Sequence, residues 1–455
     1  MTDVQQRATT TPHGVPWLTL ALSVVLTVVP LVVFLTGDPT MRRVVLAIAA
    51  AAIAAYAASV HPLSVFAATA AVLGFIPYVH VPSTDVPLLL VLCLGIWIAL
   101  AFVPDVRFRP GLPELAVVVL VGVALLSVVA TSLTTTSLKE LAAWSAATAV
   151  VTPIRFLPAA ARLLTIRVFV LSAAAAAALG VVLVRFDPYG VLLDRLAIAG
   201  YKEGRANVQV VPGSEDNATR LTGTFVEPNI AGFVLVVALL LALAYFRGPL
   251  RVVLVMVIGG GLLLTLSRAA IATAVVAGIV LLFRTSGPRR LGLLAAGVAG
   301  GLGALAIPVV RARLLDSFGP SDTGTIARDL AFKEFPRTMD GHWVWGLGWD
   351  RDEFRLASVG RVVNYVANGP LVTVYRGGVI LGVIVLVVLI LLVLHSWFAA
   401  RRSFEDAVAC AGVIALALIA LQLDFSVVLQ APATVAFSLL VGLVLAPDPP
   451  GAGRA

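Results

Sequence analysis

The sequence predicts an all-α, polytopic membrane protein. Hydrophobic residues make up 60% of the 455 positions, and only 12% are charged. Soluble domains carry about a quarter charged residues. Mean hydropathy is +1.03, and apolar runs of membrane-crossing length recur from one end of the chain to the other. A crossing helix needs roughly 20 mainly apolar residues.

Candidate spans fall near 16–36, 43–60, 63–80, 86–104, 113–133, 138–154, 166–184, 230–246, 251–266, 269–284, 291–309, 374–397, 406–423 and 427–446. The 138–154 run is the weakest, being short and carrying Lys139, Glu140 and Pro153. The 43–60 and 63–80 runs are parted only by His61 and Pro62. The expectation is about 12–14 transmembrane helices. The first follows a polar tail and has no small-residue cleavage site, so it reads as a retained span.

Basic residues orient such a chain, because they stay on the cytoplasmic side. With the N-terminus inside, the inner segments hold Arg107, Arg109, Arg155, Arg162, Arg167, Arg247, Arg251, Arg284, Arg289, Arg290, Arg401 and Arg402. Arg42 and Arg43 fall on the other side and break the pattern. The net charge of +8 is therefore a topology signal and does not point to nucleic acid. Cys93 and Cys410 both lie in apolar spans, as small packing residues.

This reading divides the chain into N-terminal transmembrane helices over 1–184, a first external loop over 185–229, and central helices over 230–308. A large external loop over 309–370, partly helical, precedes C-terminal helices and a short tail over 371–455. The large loop balances Arg311, Arg313, Arg328, Lys333, Arg337, Arg351, Arg355 and Arg361 against Asp316, Asp322, Asp329, Glu334, Asp340, Asp350, Asp352 and Glu353. Dense, balanced charge suits a structured loop. Ile326, Leu330 and Phe335 share one face of a helix predicted over 324–339.

Four segments can carry chemistry. Arg220-Leu-Thr-Gly-Thr-Phe-Val-Glu-Pro-Asn229 leads into a span. Gly223 permits a tight turn, Pro228 presets a helix start, and Arg220 and Glu227 sit at the membrane boundary. It reads equally as a turn-and-cap device. Ser267-Arg268 lies between two apolar runs, where an arginine must reach water, a phosphate or a carboxylate. Its guanidinium suits a diphosphate, and it also suits plain snorkelling to the interface. Gly341-His-Trp-Val-Trp-Gly-Leu-Gly-Trp349 offers Trp343 and Trp345 as stacking platforms for sugars or as an interfacial belt. His342 in it is the only histidine in either large loop. Asn368 to Gly382 carries Tyr375 and Arg376 into the next span. Arg376 lines a polar cavity or pairs with Asp424. The sequence contains no metal-ligand spacing and no nucleotide-phosphate loop, so no cofactor is expected.

In order and spacing, these segments resemble the O-antigen ligase and O-antigen polymerase family of bacterial membrane proteins. The likeness rests on Arg220 to Asn229, on Leu266 to Ala269, on Arg328 with Gly346 and Gly348, and on Asn368 to Gly382. It covers roughly residues 205–395, and the flanking spans match only in character.

The resemblance implies a GT-C-like, metal-independent glycosyltransferase in the bacterial cytoplasmic membrane, with its site facing outside. Its donor would be a polyprenyl-diphosphate-linked glycan and its acceptor a glycan or lipid. It implies diphosphate binding by Arg220, Arg268 and Arg328; the residues themselves add Asn229, Arg376, Trp343 and Trp345 as substrate-binding candidates. Ligases of this family place a histidine where Ala367 stands and a glutamate near Arg376. That departure favours a polymerase-like enzyme and leaves His342, Asp340 or Glu227 as candidates for the base. The alternative is a transporter or flippase of a lipid-linked glycan. It would call for repeated halves with broken helices at the midplane, and no such repeat is visible in the sequence.

Overall fold

In the computed structural model, residues 55–81, 86–104, 106, 108–187, 189–195, 201, 219–315, 332–350, 368–420 and 431–446 are described. Contacts divide the chain into two units, Met1–Pro62 and Leu63–Ala455. In the first, residues 55–60 are helical.

The described chain is all-helical. Its helices are α1 Pro62–Phe75, α2 Leu88–Leu100, α3 Leu112–Thr131, α4 Thr135–Ala149, α5 Val151–Phe156, α6 Ala159–Phe186 and α7 Val191–Arg195. There follow α8 Pro228–Tyr245, α9 Gly248–Leu264, α10 Arg268–Arg284, α11 Gly287–Ala306 and α12 Pro308–Leu315. Then come α13 over 332–338, α14 Gly369–Ala399, α15 Phe404–Ala420 and α16 Ala431–Val444.

Proline marks the beginnings. It occupies the first turn of α3, α8, α9, α11 and α14, where its missing N–H costs nothing and its fixed φ suits the helix. Thr134, Ser267 and Asn368 accept from free backbone N–H groups at the starts of α4, α10 and α14. The weak 138–154 run divides at Val150 into α4 and α5. Of the helix predicted over 324–339, the described part at 332–338 is helical, and 324–331 lies outside the described residues.

Among the described residues, four helices, α3, α6, α8 and α14, are long and apolar enough to cross a membrane. The outward faces carry large apolar side chains such as Leu126, Met256, Phe283 and Phe398, all more than half exposed. A surface of that kind suits hydrocarbon and not water. These features mark a membrane protein. The centre is α8, in which Phe233 to Ala238 are wholly buried between α6, α9, α10, α15 and α16.

Between helices in lipid the hydrophobic drive is weak, and close packing of small residues replaces it. Gly232 lies against Ala270, so that a Cβ there would come within 2.5 Å of the Ala270 methyl. Gly261 meets Ala177, and Gly74 meets the α6 backbone at Phe169 and Ala173.

Two polar ties fix which helix ends lie together. Arg155 pairs with Glu114 and donates through Nε to the Leu445 carbonyl at 3.0 Å. Arg284 donates to the Trp397 carbonyl at 2.7 Å and lies over the Trp397 ring. The starts of α3 and α6 and the ends of α10, α14 and α16 thus share one end of the bundle. Arg162, Arg167, Arg247, Arg251, Arg289, Arg290, Arg401 and Arg402 lie in helix termini and turns of that same end. The starts of α8, α10 and α14 and the end of α3 form the opposite end, where the candidate site lies.

At that opposite end the tryptophan segment docks on a break in α14. Gly378 has φ 77°, inside what is otherwise one long helix. Val379 N–H donates to the Trp343 carbonyl, and Leu347 N–H to the Tyr375 carbonyl. Gly346, at φ 79°, leaves no room for a Cβ, which would come within 2.6 Å of the Arg376 backbone. Substituting Gly346 or Gly378 with Ala should therefore lower stability by about 2–4 kcal/mol, combining left-handed strain with overpacking. Gly259, with open space around it, should accept Ala at no cost. Thermal unfolding in detergent checks both expectations, and equal midpoints for all three variants would contradict them.

Candidate functional site

Two of the sequence segments meet in one hydrogen-bonded cluster. Helix α9 ends at Leu264, with carbonyls that have no partner in the helix. Leu221 N–H donates to the Leu264 carbonyl at 2.8 Å. Arg220 Nε donates to the Thr265 carbonyl at 3.0 Å. A cation at a helix C-terminus also complements the helix dipole.

The other edge of Arg220 turns toward α8. Its Nη2 donates to Asn229 Oδ1 at 3.2 Å, and Ser267 Oγ donates to the same oxygen at 2.9 Å. Asn229 Nδ2 donates to Glu227 Oε1 at 3.3 Å. One amide therefore links the guanidinium, the serine that caps α10, and the carboxylate. Ser267 is buried, whereas Arg220, Glu227, Asn229 and Arg268 are half-buried. Arg268 opens α10, placing a second cation at a helix N-terminus that already favours anions.

The backbone is strained on both sides of this cluster. Val226 has φ 64° and Leu266 has φ 51°. Positive φ costs a β-branched or bulky residue about 1–3 kcal/mol. These two residues directly precede Glu227 and Ser267. Gly223, at φ 51°, makes the intervening turn against Gly180 of α6, as its place in the sequence predicted.

Tyr78 and Tyr201, missed in the sequence, sit beside the cluster. Tyr201 Oη donates to the Thr224 carbonyl at 2.7 Å, and Thr224 Oγ1 donates to the Phe75 carbonyl. Burial raises the Tyr78 phenol, and the nearby Glu227 carboxylate raises it further. Neither tyrosine stands in a recognisable motif. Only the fold brings the α1–α2 turn to the start of α8.

The tryptophan segment forms a second group, on α14. Arg376 is buried, 3.9 Å from Glu140 and over the Trp349 ring. The cavity-or-Asp424 reading of Arg376 thus gains a third partner, Glu140, and Asp424 lies outside the described residues. Trp349 Nε1 donates to Ser127 Oγ at 3.0 Å. Asp350 accepts from Ser132 Oγ at 2.9 Å and Thr134 Oγ1 at 3.1 Å. His342 is exposed, with Nδ1 2.9 Å from the Asp340 carbonyl oxygen. Asp340 is exposed; Trp343 and Trp345 are 41% and 38% exposed, and Trp343 meets Phe335 edge-on.

The predicted residues thus divide. Arg220, Glu227 and Asn229 come together with Ser267 beside Arg268. Arg376, Asp340, His342, Trp343 and Trp345 belong to the tryptophan turn and its helix. Arg328 and Ala367 lie outside the described residues. Among the described residues, no three His, Cys, Asp or Glu side chains group as metal ligands. Compared with models of known protein families and with curated proteins, the chain matches none.

Burial raises the Glu227 carboxyl above its ordinary range, against the opposing pull of the Asn229 hydrogen bond and the Arg220 charge. A raised carboxyl favours the protonated form in the fold. Its contribution to stability is complete below the unfolded value and is lost as pH rises through the folded one. Glu227→Gln should flatten the thermal midpoint across that window and leave the more acidic range unchanged. A variant with the full wild-type slope would show that another group sets it.

Proposed function

We propose that the protein is a membrane glycosyltransferase that moves or polymerises a polyprenyl-diphosphate-linked glycan during cell-surface polysaccharide assembly. The observation that carries this reading is the meeting of Arg220, Asn229 and Ser267 beside Arg268, at one end of apolar helices. A lipid diphosphate presents its charge at that depth. Guanidinium groups bind oxyanions in bidentate fashion and stay charged.

In the proposed reaction an acceptor hydroxyl attacks the anomeric carbon of the donor sugar. The bond from that carbon to the diphosphate oxygen breaks, and the electron pair leaves on the diphosphate. Arg220, Arg268 and, from the resemblance, Arg328 stabilise that growing charge. Glu227 takes the hydroxyl proton. Burial raises its carboxyl, and a raised carboxyl is the stronger proton acceptor once ionised. Of the candidate bases, it is the one beside the arginine cluster; His342 and Asp340 lie on the tryptophan turn.

The polymerase-like form is the better supported of the two, because Ala367 stands where ligases of the resembled family carry a histidine. The basic end of the bundle would face the cytoplasm and the arginine cluster the outside.

Arg220→Ala and Arg268→Ala should each lower the transfer rate by about 10²–10³-fold, and Arg328→Ala should do the same. Glu227→Gln should lower kcat by about 10²–10⁴-fold. The assay is purified protein in nanodiscs with lipid-linked oligosaccharide, its products resolved by size. A ladder of repeats indicates polymerisation, and a single acceptor-dependent shift indicates ligation. Full activity in all three arginine variants would overturn the proposal. Donor crossing liposomes without any transfer would favour a transporter.

A further inference from the structure

A cleft opens at the basic end of the bundle, between α6, the α8–α9 turn and the start of α15. Its volume is about 690 Å³; sites for small ligands span about 300–1,000 Å³. Leu163, Arg167 and Leu171 line it from α6. They stand at i, i+4 and i+8, so one face of that helix makes a wall. Phe246, Arg247 and Leu250 line it from the α8–α9 turn, and Glu405 from α15.

The charges in this lining do not cancel. Two guanidinium groups face one carboxylate. Among the described residues, neither Arg167 nor Arg247 forms an ion pair, and both are exposed. Nearby, the charge of Arg162 is offset by Asp406, which also caps α15 through Ser403.

The depth of the cleft follows from α6. Residues 168–184 carry no charge and make about 26 Å of helix, close to the roughly 30 Å of a hydrocarbon core. Arg167 stands at one boundary of that run and Arg185 at the other. The cleft therefore lies at headgroup level. An arginine there needs water, a phosphate or a carboxylate.

We infer that this cleft binds an anionic phospholipid of the adjoining leaflet, its phosphate held by Arg167 and Arg247 and an acyl chain along Leu163, Leu171 and Phe246. The inference stands apart from the transferase reading. Charge complementarity selects the anionic head, because guanidinium groups grip phosphate oxygens in bidentate fashion. The apolar wall on either side of Arg167 selects a lipid over a free anion, which has no use for leucine. Basic pockets between helices on the cytoplasmic side are suited to such heads.

The test uses full-length protein, freed of lipid in a neutral detergent and titrated with short-chain phosphatidylglycerol or phosphatidylcholine. Native mass spectrometry counts the bound lipid. Wild type should bind the anionic lipid about tenfold or more tightly than the zwitterionic one. Arg167→Gln with Arg247→Gln should weaken phosphatidylglycerol binding by about tenfold or more. Arg289→Gln with Arg290→Gln removes the same charge from α11, outside the cleft, and should leave that binding unchanged. Glu405→Gln removes the opposing carboxylate and should tighten it by about threefold, a gain that misfolding does not produce.

Equal binding of the two lipids by the wild type would overturn the inference. So would an equal loss in the α11 variant, which would mean attraction to the whole basic end. Inorganic phosphate, compared with chloride at equal ionic strength, should displace no lipid. Displacement would mean a site for free anions and would remove the lipid.

Discussion

The closing of the open carbonyls of helix α9 by Arg220 and Leu221 is the interaction on which the rest of the site depends. A helix that ends among apolar neighbours cannot leave its last carbonyls bare, because no water is at hand to satisfy them. Leu221 N–H and the Arg220 guanidinium fill that need at Leu264 and Thr265. In doing so they pin the segment that leads into α8. Glu227, Asn229 and the start of the central helix α8 follow within nine residues. A structural requirement thus sets the position of the cation that the proposed chemistry uses.

Close approach of helices is the second constraint. The gain from packing one apolar helix on another is small in hydrocarbon, so contact area and shape decide the arrangement. Gly232 against Ala270 draws α8 and α10 together just beside Ser267, and Gly261 against Ala177 draws α9 onto α6. The same logic governs the tryptophan turn, where Gly346 and Gly378 let backbone lie directly on backbone. That contact breaks α14 at the point where Arg376 is buried. Two clusters at one end of the bundle are therefore each held by a strained or glycine-dependent turn. Such strain persists only where surrounding contacts over-determine it.

Much of the fold was legible. Apolar runs located α3, α6, α8 and α14, because length and composition suffice for a crossing helix in lipid. Pro228 fixed the start of α8, since proline tolerates only the first turn. Sequence also singled out Arg220, Glu227, Asn229 and Arg268, because charge at the edge of an apolar run is costly unless it has work to do. The break at Val150 and the kink at Gly378 were not legible. Neither follows from hydropathy; both depend on what packs against the helix.

The sequence by itself determined that this chain is helical, apolar and asymmetric in charge, because these follow from residue type and order. Only the tertiary structure decided which polar residues meet. It placed Ser267 on Asn229 and Glu140 beside Arg376, pairs separated by 38 and 236 positions in the chain. It also buried the Trp144 N–H without a hydrogen-bond partner. Such contacts depend on how helices far apart in sequence pack side by side, and no local pattern of residues encodes that.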